Sequence, residues 1–166
     1  MRLWCAFGIL VMTIICSCDV SITYNDSGGK PKIKNGITLK SKGVKVEQAF
    51  LVKEDGALLP DNNKIQVNEK IRMRIISSGW SENKGKVFID ASEKVETNEG
   101  NVFLDQKDLF GSYQEGLTPE SVKNITLSVV ITQIDKLYDF YRVNFQVKDK
   151  NDPERYVEGY YKLYIE

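Results

Sequence analysis

The feature that most constrains this chain is a two-residue alternation of apolar and polar side chains, repeated segment after segment from Ile33 onward. Successive side chains of a β-strand point to opposite faces, so this period marks strands with one buried and one wetted face. Ile33, Asn35, Ile37 and Leu39 alternate with Lys32, Lys34, Gly36, Thr38 and Lys40. Ile71, Met73 and Ile75 alternate with Arg72 and Arg74, and Ile125, Leu127, Val129 and Ile131 with Thr126, Ser128 and Thr132. Tyr141, Val143, Phe145 and Val147 alternate with Arg142, Asn144, Gln146 and Lys148. Val157, Tyr161, Leu163 and Ile165 share a parity opposite Tyr156, Glu158, Tyr160, Lys162 and Tyr164. Less regular apolar runs at 44–52, 87–89 and 102–104 fill the remaining places.

Turn formers separate these runs: Asp55-Gly56, Lys84-Gly85, Glu99-Gly100 and Asn151-Asp152-Pro153. Each is expected to bring adjacent strands back antiparallel. Asn35-Gly36 is also a strong hairpin signal, but the alternation carries straight through it, and the sequence leaves that position open. Thr118-Pro119-Glu120 reads as a helix start, with Thr as cap and Pro at the first position. The expected fold is therefore all-β: a single antiparallel β-sandwich of eight or nine strands, with at most one or two helical turns in the 105–124 loop.

The amino terminus has a different character. After Met1-Arg2 the chain runs from Leu3 to Cys16 with nothing more polar than Thr13. That run falls short of the roughly 20 apolar residues a helix needs to cross a bilayer. It ends in Ile15-Cys16-Ser17-Cys18, with polar chain from Asp19. This resembles the lipobox of bacterial lipoproteins, with a branched aliphatic residue three places before the cysteine and a small residue directly before it. The resemblance implies cleavage between Ser17 and Cys18, a diacylglycerol on the Cys18 thiol and usually an acylated new amino terminus. Residues 1–17 are then a signal peptide, and Cys18 attaches the protein to a membrane of the cell envelope. The outer membrane or cell surface is favoured over the inner membrane. Asp19 marks inner-membrane retention in some bacteria, so which membrane stays open. Residues 18–32 read as lipidated cysteine and flexible tether, with a reach on the order of 20 Å, and residues 33–166 as the domain.

All three cysteines lie within the first 18 residues. After such a cleavage only a blocked Cys18 would remain, and the domain would hold together by packing alone, without a disulfide. Removing residues 1–17 takes away only one charge, Arg2, leaving 22 basic and 23 acidic side chains. Both signs are interspersed, which argues against nucleic acid as a partner. There is no histidine anywhere, so the commonest general base and the commonest transition-metal ligand are missing. No metal or other cofactor is expected, and no catalytic residue is assigned. The strand pattern, lacking the Cys, Trp, Cys signature of antibody domains, resembles the disulfide-free immunoglobulin-like modules carried on bacterial lipoproteins. That resemblance brings no named function.

Three features compete as binding sites. Asp149, Asn151 and Asp152 concentrate oxygen ligands in one segment that resembles the D-x-N-D calcium motif ending cadherin repeats, where a second domain completes the shell. Asn, Asp and Pro also make an ordinary polar turn, and that reading is favoured. Tyr156, Tyr160 and Tyr164 form a stripe on the face of the last strand opposite the core, suited to stacking on sugars or to covering a partner. The same rings also suit cross-strand packing, and that reading is favoured. Trp80, just past a strand end, is either a loop contact for glycan or protein or a plug in the open end of the sandwich, and the plug is favoured. Carboxylate pairs such as Asp105 with Asp108, or Glu93 with Glu96, have the residue type that glycoside hydrolysis needs, but solvated surface charge explains them more simply. The leading expectation is a non-catalytic, lipid-anchored module binding a glycan or an envelope protein. An accessory subunit of an envelope complex comes second, and a hydrolase using paired carboxylates third.

Overall fold

The computed structural model describes residues 30–132 and 136–166. The Cys18 lipobox and most of the tether lie outside the described residues. Ten strands form two sheets. The four-stranded sheet runs in the order β1 (Lys32–Ile33), β3 (Lys45–Lys53), β5 (Lys70–Ser78), β8 (Asn124–Val130). The other runs β2 (Thr38–Lys42), β10 (Tyr156–Ile165), β9 (Tyr141–Asp149), β6 (Ile89–Thr97), β7 (Val102–Gln106), and β4 (Lys64–Ile65) joins β10 beyond the end of β2. All pairings are antiparallel except the two-residue contacts of β1 with β3 and of β4 with β10. The architecture is a β-sandwich of two largely antiparallel sheets, as the alternation implies. Among the described residues two of the ten strands are only two residues long, and the one helical element is a single 3-10 turn, Ser121–Lys123. It starts later than expected: its N-cap is Glu120, which makes no side-chain cap hydrogen bond, while Thr118 Oγ1 accepts from the Ser121 amide at 3.2 Å in the turn before it.

The alternation places the core. Ala49 and Leu51 of β3, Ile71, Met73 and Ile75 of β5, and Ile125, Leu127 and Val129 of β8 point inward from one sheet. Tyr141, Val143, Phe145 and Val147 of β9 meet them from the other, together with Val157, Tyr161 and Leu163 of β10. Each fully buried aliphatic or aromatic side chain contributes about 1.5–3 kcal/mol. Gly159 interrupts the inward parity of β10 for a steric reason. A Cβ there would stand 2.1 Å from the carbonyl oxygen of Thr38, so β2 can approach β10 only because that side chain is missing.

Two turns behave differently from expectation. Asn35 and Gly36 both have left-handed backbone, with φ of 56° and 59°, which Asn and Gly tolerate best. The strand expected to run from 33 to 40 is therefore broken there. Ile33 belongs to the four-stranded sheet, and Thr38 starts a strand of the six-stranded one. The buried Asn35 side chain fastens the switch, donating to Leu59 O and accepting from Leu51 N, each at 2.9 Å. Lys84-Gly85 makes a tight turn inside the connection from β5 to β6, which lie in different sheets, and so does not join neighbouring strands. The alternation and the turn signal are both local, and neither reports which sheet the chain enters next.

Candidate functional site

The outer face of the six-stranded sheet is where the tyrosine stripe falls. The nearly regular pairing of β10 with β2 and β9, and of β9 with β6, stacks outward side chains into rows across the sheet. One row reads Lys42, Tyr156, Lys148, Asp90, and the next Lys40, Glu158, Gln146, Ser92. A third reads Thr38, Tyr160, Asn144, Lys94, and a fourth Lys162, Arg142, Glu96. Tyr164 lies beyond it and is 37% exposed, whereas Tyr156 and Tyr160 are half-buried.

These side chains are held by one another. Arg142 lies over the Tyr160 ring, 5.1 Å from its centroid, and Lys162 Nζ sits 3.9 Å from the centroid of Phe140. Such cation–π contacts orient both partners. Glu158 takes an ion pair from Lys40 at 2.7 Å and a hydrogen bond from Gln146. Partial burial pushes its carboxyl up, but those two donors outweigh it and hold it below its ordinary value. Glu96 accepts from Lys94 at 2.8 Å and from Asn144 at 3.2 Å, and Lys94 foremost holds it below its ordinary value as well. Both carboxylates are therefore ionised acceptors at neutral pH, set among amide, hydroxyl and guanidinium groups and flanked by rings. The arrangement can stack a flat apolar surface and hydrogen-bond its edges.

The other expected sites resolve differently. Trp80 is 8% exposed, packs in the core, and donates from Nε1 to Ser77 Oγ at 3.1 Å. It offers no ring for stacking, because so much apolar area finds cover at the open end of the sandwich. Asp149 is buried: its Oδ2 accepts from the amide and hydroxyl of Ser81 at 2.7 and 2.6 Å. Its Oδ1 accepts from the amides of Asn151 and Asp152 at 2.9 and 3.2 Å. Asp152 in turn accepts from Glu154 N at 3.1 Å and from Arg155 Nε at 3.0 Å. This is Asx-turn geometry, with protein donors on both carboxylates. Among the described residues no group of three or more His, Cys, Asp or Glu side chains is placed to hold a metal ion.

The carboxylate pairs drawn from spacing do not converge. Glu93 points inward and Glu96 outward, three positions apart on one strand. Asp105 lies opposite Lys94 on β7, while Asp108 is a neighbour of Asp90 and pairs with Lys150 at 3.4 Å. Burial and that neighbour raise Asp90 above the ordinary carboxylate range. Glu93 is the more unusual acid. It is 2% exposed, its Oε1 has no hydrogen-bond partner, and burial pushes its pKa up to about 7. It is sealed between the sheets, so it cannot reach a substrate.

Sequence reasoning missed the β9 half of the face: Arg142, Asn144 and Gln146. The alternation had already put them on one parity, and the short Asn151-Asp152-Pro153 turn makes β9 the neighbour of β10. Joining the two signals would have set them beside the tyrosines. It also missed three exposed apolar side chains, Val102, Phe103 and Leu137, which are 53%, 39% and 73% exposed. Phe103 packs edge-on against Tyr138 and Tyr141, with centroids 5.9 and 5.4 Å away.

The fold and this face define a class, an all-β sandwich domain with a polar, ring-bearing sheet surface. No protein-family model and no curated protein matches the chain. Among solved structures it is similar to the crystal structure of the C-terminal domain of wzt. The TM-score is 0.54 and the identity 12%, covering 82% of each chain. At that identity the likeness shows a shared fold.

Proposed function

We propose that the chain is a lipid-anchored, non-catalytic protein of the bacterial cell envelope that binds a glycan through the outer face of its six-stranded sheet. The observation that carries this reading is the row of Tyr160 and Asn144, bordered by Arg142, Gln146 and Glu158. A sugar ring presents a flat C–H face and a rim of paired hydroxyls. A tyrosine ring suits the first, and side-chain amides, a carboxylate and a guanidinium suit the second. The lipobox pattern at Cys18 supports the anchor, and the absence of histidine, with Glu93 sealed in the core, supports a binding role over catalysis. Mass spectrometry of the mature amino-terminal peptide should find acylated Cys18 with no residue before it. A glycan array should show binding that Tyr160→Ala and Arg142→Ala each weaken by about tenfold or more. Binding unchanged in both variants would reject this surface.

A protein partner is the second reading, as a docking subunit of an envelope complex. The exposed Val102, Phe103 and Leu137 favour it, because solvent-facing apolar clusters mark interaction surfaces. Co-purification of a stoichiometric partner, lost on Phe103→Ser, would support it.

A further inference from the structure

The sandwich has four lateral edges, and they are treated unequally. The outer edge of β3 is capped by β1 at Gln48 and Ala49. Further along it is covered by the loop after β3, where Val52 bridges Leu58 and the Leu59 amide donates to Leu51 O at 2.9 Å. β2 is short and carries Lys40 and Lys42. β7 is five residues long, its pairing is broken by an irregularity between Val95 and Glu96, and it carries Asp105. Such charges, bulges and covers are the devices that keep sheet edges from pairing with other chains. β8 has none of them. Its sequence, Asn-Ile-Thr-Leu-Ser-Val-Val, holds no charge and no proline, and it pairs with β5 in unbroken register from Asn124 to Val130. Among the described residues no strand lies on its other side.

We propose that β8 is an interface between two copies of this chain, which pair antiparallel about a two-fold axis at Leu127. The pairing joins the two four-stranded sheets into one of eight. Three properties of the strand fit a second copy. A two-fold at Leu127 sets Ile125 opposite Val129 and Thr126 opposite Ser128, so buried parity meets buried parity and hydroxyl meets hydroxyl. The strand brings no charge of its own to the seam. The nearest cations in those rows, Arg74 beside Thr126 and Arg72 beside Ser128, would end up three strand spacings apart. That is about 14 Å, beyond the screening length at physiological salt. An isologous contact of this kind closes on itself, leaving no unprotected edge for further growth.

Charge placement on the two exposed hydroxyl positions tests the register as well as the interface. In sedimentation equilibrium of the full chain over about a hundredfold range of concentration, a reversible monomer–dimer equilibrium is expected. Thr126→Lys combined with Ser128→Lys sets like charges opposite each other in both rows, and should raise the dimer dissociation constant about tenfold or more. Thr126→Lys combined with Ser128→Glu sets opposite charges face to face, and should leave the dimer intact. Both variants alter solvent-facing side chains, and unchanged thermal unfolding of the monomer should confirm that each still folds. A chain that is monomeric throughout, or a dimer indifferent to the paired lysines, overturns the proposal. A dimer weakened equally by both variants overturns the two-fold at Leu127.

Discussion

Tyr160 and Tyr161 are adjacent in the chain and opposite in circumstance. Tyr161 is fully buried, its ring centroid 6.5 Å from that of Phe145, and burial, with Glu93 nearby, raises its phenol well above the ordinary value. Tyr160 is half-buried on the other face, with Arg142 across its ring. The inward ring fills volume between two sheets, and its identity matters for packing. The outward ring borders solvent, amides and charges, and its identity matters for what can be laid upon it. One residue type meets two environments because successive side chains of a strand point to opposite faces, so the inward ring can be constrained by packing while the outward one is not.

The largest effect that would break this contrast is on the inward side. Tyr161→Ala should destabilise the fold by about 3–5 kcal/mol in equilibrium unfolding, because it empties a large volume between close-packed sheets. Loss of less than about 1 kcal/mol would mean the ring is not a packing element. Next comes the buried acid of the same layer. Glu93 has a folded-state pKa near 7 against an ordinary 4.5, so the native protein holds this proton more tightly than the unfolded chain. Stability from this group is therefore fully present below about pH 4.5, falls as pH rises, and levels off above about pH 7, a loss of about 3 kcal/mol. Its neighbours on the paired strands, Phe145 and Gln106, are uncharged, and the phenol of Tyr161 stays protonated across that range. Glu93→Met should accordingly be more stable than the wild type at pH 8, with the advantage shrinking toward pH 5, when the two are unfolded in parallel. An advantage that grows on acidification would reverse the assignment. The smallest effect belongs to the outward face. Tyr160→Ala should lose no more than about 1 kcal/mol of stability. Equal damage at 160 and 161 would show both faces to be packing surfaces.

How much of this was legible in the sequence follows from what is local and what is not. The parity of β10 was readable outright, because Val157, Tyr161 and Leu163 report burial through their own chemistry. The same local signal failed at Asn35-Gly36, where two left-handed residues send the chain from one sheet to the other while the apolar count keeps its rhythm. It failed at Glu93 as well: charge predicts exposure, and only the register against Phe145 turns that side chain inward. Trp80 illustrates the opposite limit, since its cover comes from the end of the sandwich rather than from its sequence neighbours. The candidate face was half visible, the tyrosines by composition, while the Arg142 and Asn144 half needed the pairing of β9 with β10.

The position of β10 carries a consequence for how the protein is made. The last of the described strands in sequence order is an interior strand of its sheet, flanked by β9 on one side and by β2 and β4 on the other. Leu39 meets Gly159, a partner about 120 residues away. The loop-closure entropy of so distant a pairing must be met before the contact rewards it, so folding belongs to the slow, millisecond-to-second class of β-topologies. A nascent chain that has not yet released residue 156 lacks the strand that joins β2 to β9. Assembly of the six-stranded sheet therefore waits on residues 156–165, which join two strands that do not otherwise touch.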